Sequence, residues 1–105
     1  MGQGSYDGTF HVGMARLWLR MPENGSLKDK RQVLRSLTQR IRNQFPVAIA
    51  EVDAQDDWRL ACLCVTTVSA EARIARQVLD RVAGFVRETR LDAELYDYEA
   101  EVTAF

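Results

Sequence analysis

Six of the fourteen basic residues fall in one stretch, Lys28, Lys30, Arg31, Arg35, Arg40 and Arg42, with only Asp29 opposing them there. Cations clustered in this way suit phosphates, which they neutralise and position without reading a base sequence. On a helix turning 100° per residue, Lys28, Arg31, Arg35 and Arg42 fall within roughly 60° of one another, while Arg40 points elsewhere. These four are the candidate nucleic-acid contacts, and the plain alternative is a solvated helix face. A second group, Glu51, Asp53, Asp56 and Asp57, has the carboxylate chemistry that holds Mg²⁺. It lacks EF-hand spacing, and the simpler duty is Asx-turn bonding to backbone N–H groups with Trp58 packed over the turn. No metal site is expected from it. Arg16, Trp18 and Arg20 alternate along one strand face and form a secondary candidate surface, of the kind on which some sheets stack RNA bases. The third strand offers no aromatic partner, so self-association is an equal use of that face. Catalytic chemistry is thin. His11 is the only histidine, no Ser or Cys has a base partner, and Cys62 and Cys64 lack further ligands for zinc. There is no Gly-rich phosphate loop or dinucleotide fingerprint. The expectation is a protein that is not an enzyme, with no cofactor and no small-molecule substrate.

These groups need a scaffold, and the chain is long enough to build one. Its 105 residues are 47% hydrophobic and 28% charged, which fits a single domain with a real core. The net charge of -1 averages two opposed regions, because the last fifteen residues hold Asp92, Glu94, Asp97, Glu99 and Glu101 and no base. No apolar run approaches the ~18–20 residues that span a bilayer, and no signal-peptide pattern opens the chain. Cys62 and Cys64 lie two apart in a predicted strand, where disulfide geometry is poor, so a reduced, cytoplasmic protein is expected. Residues 1–9 are Gly/Ser-rich and aperiodic, read as a flexible leader before a domain over residues 10–105.

Phe10 to Met21 alternates in polarity, a half-buried strand closed by Pro22, Asn24 and Gly25. Ser26 then caps a helix whose apolar stripe is Leu27, Leu34, Leu37, Ile41 and Phe45, and Pro46 stops it. Val47–Val52 and Trp58–Val68 read as a hairpin around a polar turn. Ser69 is the predicted cap of a second helix carrying Ile74, Val78, Val82, Phe85 and Val86 to near Arg90. Gly84 inside it is expected to mark close packing against the sheet. Leu95 to Val102 is the last strand, with Tyr96, Tyr98, Ala100 and Val102 on its apolar face and Asp97, Glu99 and Glu101 opposite. The order β-α-β-β-α-β predicts an α+β ferredoxin-like plait: a four-stranded antiparallel sheet with both helices on one face. The last strand then borders the first, so Arg16 and Arg20 lie across from its acids.

Two segments also carry a family resemblance. Ser26-Leu27-Lys28-Asp29-Lys30-Arg31 resembles the S-L-K-x-K-R opening of the YlxP-like family, a bacterial domain of unknown function. Ala50-Glu51-Val52-Asp53-Ala54-Gln55-Asp56-Asp57-Trp58 is similar to its A-E-V-D-x-Q-D-x-W hairpin, and Val68-Ser69 and Val78-Leu79-Asp80 match as well. The match spans about residues 12–102. It departs at the leader, at Cys64 and in the acidity of the last strand. The resemblance implies a ferredoxin-like plait in a bacterial cytoplasmic protein. Because the family's genes lie among those for translation initiation and ribosome maturation, it also implies association with RNA or a ribosomal subunit. It assigns no role to Ser26, Leu27, Lys30, Glu51, Asp53, Gln55, Asp56 or Trp58. The leading expectation is a non-enzymatic accessory protein touching structured RNA or ribosomal particles through its basic helix. The alternative is a homodimeric structural or protein-interaction module with no nucleic-acid role.

Overall fold

The computed structural model of the chain describes residues 7–23, 25–89 and 93–105. The elements run β1 (His11–Arg20), α1 (Leu27–Gln44), β2 (Ala48–Asp53), β3 (Leu60–Ser69), α2 (Ala72–Glu88) and β4 (Glu94–Ala104). The strands form one antiparallel sheet in the order β2-β3-β1-β4. This is the expected ferredoxin-like plait. The expected leader falls largely outside the described residues, as do Asn24, Arg90 and Asp92.

Strand periodicity sets the core. Ala15, Leu17, Leu19 and Met21 of the β1 segment and Ala61, Leu63 and Val65 of β3 point to the helix side and are buried. Leu34, Leu37 and Ile41 of α1 and Leu79, Val82 and Val86 of α2 close over them. Ser26 caps α1 as the sequence predicts, its Oγ accepting the Asp29 N–H at 3.1 Å. Phe45 ends α1 in extended backbone before Pro46, and its ring meets Phe85 of α2 edge-on, centroids 5.8 Å apart.

Three expectations need correction. The N-cap of the second helix lies two residues beyond the predicted one: Glu71 is the N-cap, and Ser69 Oγ instead accepts the Glu71 N–H in a local turn. Gly84 does not mark a close approach, since a Cβ there would meet nothing within 4 Å. The close approach is at Gly13 on β1, where a Cβ would lie 3.0 Å from Leu79 Cδ1 and 3.3 Å from Thr67 Cγ2. Tyr96 does not share a face with Tyr98. The β1–β4 register shifts between Trp18 and Leu19, so Leu95 pairs with Leu19 and packs on the core while Tyr96 is left exposed.

Layering also sorts the charge. The two helices hold ten cations and three anions, and the four strands hold two cations and six anions. Among the described residues no helix is long and apolar enough to cross a membrane.

Candidate functional site

Lys30 lies inside the apolar stripe of α1, between Leu34 and Leu37 in helical phase, and is only 1% exposed. A buried ammonium must find oxygen for each N–H it brings. Here Nζ donates to the carbonyls of Ala54 at 2.6 Å and Asp57 at 2.7 Å, with Gln55 O at 3.5 Å. Glu51 Oε2, 2.9 Å away, completes the shell as the counter-ion and is itself buried. One lysine from the start of α1 therefore holds the loop between β2 and β3. The loop needs holding, because Ala54 adopts a left-handed backbone (φ 58°) that a side chain disfavours. Its conformation is fixed on all sides: Ala54 N–H donates to Asp53 Oδ1 at 2.7 Å, and its carbonyl accepts from both Lys30 and the Asp57 N–H.

The remaining hairpin carboxylates have local work. Asp57 Oδ1 accepts the N–H groups of Arg59 (2.8 Å) and Leu60 (3.2 Å), and Gln55 Nε2 reaches the Glu51 carbonyl at 3.5 Å. Glu51, Asp53 and Asp57 thus serve the turn. Among the described residues no three His, Cys, Asp or Glu side chains converge as metal ligands. Asp56 and Trp58 are exposed, Trp58 by 49%. The two sequence segments singled out above, one opening α1 and one forming the hairpin, meet at Lys30.

Beside this clamp runs the basic flank. Lys28, Arg31 and Arg35 are exposed, and no ion pair engages them among the described residues. Arg42, in phase with them, donates from Nη2 to the Ile49 carbonyl of edge strand β2 at 3.0 Å. That bond places the flank on the β2 side of α1. Arg40 is exposed on the opposite flank. The sequence reading overlooked the arginines of α2, where Arg73, Arg76, Arg81 and Arg87 are all exposed. The same charge tally applied to the second helix would have found them.

The secondary surface is quieter. Arg16 Nη1 pairs with Glu99 Oε1 at 3.1 Å, and this hydrogen bond first, then the carboxylate charge, raises the Arg16 pKa. Arg20 stacks over the Tyr96 ring at 4.6 Å, and Trp18 is half-buried. Cys62, opposite Trp18 in register, is a buried free thiol whose pKa burial pushes up; Cys64 is free and half-buried. His11 opens β1, half-buried.

A two-layer plait with a lysine-clamped hairpin and a cationic helix flank defines the class. The chain belongs to the family described as "Protein of unknown function (DUF503)", which matches residues 12–100. It is 33% identical over 75 residues to "Uncharacterized protein YlxP" of Bacillus subtilis (strain 168), covering 71% of this chain and 82% of that protein. The solved "De novo designed protein Foldit4" is similar at a TM-score of 0.47 and 9% identity, over 90% of this chain and 96% of that one.

Proposed function

We propose that this chain is a non-enzymatic, cytoplasmic accessory protein that contacts structured RNA or ribosomal particles through the basic flank of α1. The observation that carries the reading is the row of Lys28, Arg31 and Arg35, exposed along one flank and without an ion-pair partner among the described residues. Of the hairpin acids, Glu51 is ion-paired with Lys30, and Asp53 and Asp57 each turn an oxygen to N–H groups of the turn. Arg42 keeps its charge while anchored to Ile49, and so extends the row at its far end. Such a row neutralises successive phosphates and positions the protein on a backbone. The clamp at Lys30 makes the first turns of α1 a rigid platform rather than a frayed end.

The test is sedimentation with ribosomal subunits and with a structured RNA hairpin over a range of salt. Binding is expected to weaken steeply with salt, the log–log slope falling by about 0.7–0.9 for each cation removed. Arg31→Glu combined with Arg35→Glu should weaken binding at least tenfold while leaving the circular dichroism spectrum unchanged. Undiminished binding by that double variant would overturn the proposal.

A further inference from the structure

The helices cover one face of the sheet and leave the other open, and that open face has an ordered chemistry. Cross-strand register lines up Ala48, Thr66, Met14 and Glu101 in one row. It lines up Ala50, Cys64, Arg16 and Glu99 in the next. Small or apolar side chains occupy the β2 and β3 columns, and carboxylates occupy the β4 column, where Asp97 continues the series. Between them lies a shallow depression of about 370 Å³ lined by Met14, Arg16, Cys64, Glu99 and Glu101. Met14 is 37% exposed on it. The cations on this face are already engaged, Arg16 with Glu99 and Arg20 over Tyr96. Asp97 and Glu101 have no ion-pair partner among the described residues.

We propose that this face is a docking surface for a basic amphipathic helix of a partner protein. Its apolar stripe would lie over Met14, Cys64 and Ala50, and its lysines or arginines would face Asp97, Glu101 and the second oxygen of Glu99, whose Oε1 is held by Arg16. The spacing supports a helix. Same-face residues of a strand repeat every ~6.8 Å, and helix residues four apart repeat every ~6 Å, so successive cations meet successive acids. The acids oppose the alternatives. A phosphate backbone is repelled by them. A second copy docking by the same face would set carboxylate columns against a surface whose two arginines are already engaged, and a two-fold contact must be self-complementary. This surface is separate from the α1 flank and does not depend on the RNA reading.

The chain has two tryptophans, so Trp58→Phe leaves Trp18, in the row beside the depression, as the single fluorescent reporter. The probe is a synthetic Leu/Lys amphipathic helix, with its Leu/Glu counterpart as control. The Lys peptide should shift Trp18 emission saturably and the Glu peptide should not. Glu99→Lys with Glu101→Lys, both exposed positions, should weaken binding at least tenfold. Asp56→Lys on the hairpin should leave it unchanged, as should Arg31→Glu with Arg35→Glu. No saturable Trp18 change overturns the proposal, and so does an equal loss with Asp56→Lys, which would mark attraction to net charge alone. A salt-sensitive oligomer in light scattering, abolished by Glu99→Lys with Glu101→Lys, would overturn it in favour of a second copy.

Discussion

Two ion pairs of nearly equal length sit at different depths in this molecule. Lys30 and Glu51 are 2.9 Å apart with the lysine side chain 2% exposed, whereas Arg16 and Glu99 are 3.1 Å apart with side chains 60% and 62% exposed. Geometry alone would rank them together. Depth separates them, because water screens the outer pair and leaves each partner solvated when the other is removed. The inner lysine has no such refuge. Its carbonyl partners are loop backbone that has turned away from solvent to meet it, so removal strands acceptors as well as a charge. Lys28 and Lys30, two residues apart on one helix, therefore do opposite things: one is displayed, and the other is an architectural pin.

The largest expected effect tests that contrast directly. Lys30→Ala should cost about 3–5 kcal/mol in urea denaturation, the range for breaking a buried pair. Amide exchange should quicken over residues 54–60 before anywhere else. Lys30→Met keeps the stem and restores only the packing share, since the carbonyls of Ala54 and Asp57 still lose their donor. Arg16→Ala should leave the melting temperature unchanged. Similar losses for Lys30→Ala and Arg16→Ala would collapse the distinction between the two pairs.

Much of this architecture was legible in the sequence, and the failures share a cause. Period-2 and period-3.6 patterns found all six elements, and the Ser26 cap follows from local chemistry. Helical phasing gathers Lys28, Arg31, Arg35 and Arg42 on one flank, yet the partners of Lys30 lie 21 to 27 positions downstream, where no local pattern points. Matching the two family segments located both halves of the clamp without revealing that they touch. The Tyr96 error came from a one-residue register shift, which strict alternation cannot anticipate. Glycine is the clearest case, because the residue type is the same and only depth differs. A Cβ at Gly13 meets buried Leu79 and Thr67, which have little room to move, so Gly13→Ala should destabilise by about 1–3 kcal/mol. A Cβ at Gly84 meets open space within a helix, so Gly84→Ala should stabilise by up to about 1 kcal/mol. Thermal melts of the two variants should move in opposite directions, and a shared direction would reverse the assignment of the close contact.

Tyr98 supplies an intermediate depth and the smallest expected effect. It is half-buried on the helix side of β4, its hydroxyl donating to Asp80 Oδ1 of α2 at 3.0 Å. Burial first, and the Asp80 bond and charge next, push its pKa from 10 up to about 12, although Arg76 and Arg87 pull the other way. Both causes favour the protonated phenol, so the unfolded chain gives up this proton at lower pH than the folded one. The stability tied to Tyr98 is therefore full below pH 10 and drains away as the pH climbs through about 12. Tyr98→Phe cannot ionise, so the wild-type advantage over it should shrink across that window and stay constant below it. Phenolate absorbance provides an independent reading, with a component near 12 in the wild type that the variant lacks. A constant advantage from pH 9 to 12 would mean that Tyr98 sits, electrostatically, with the exposed pair rather than between the two.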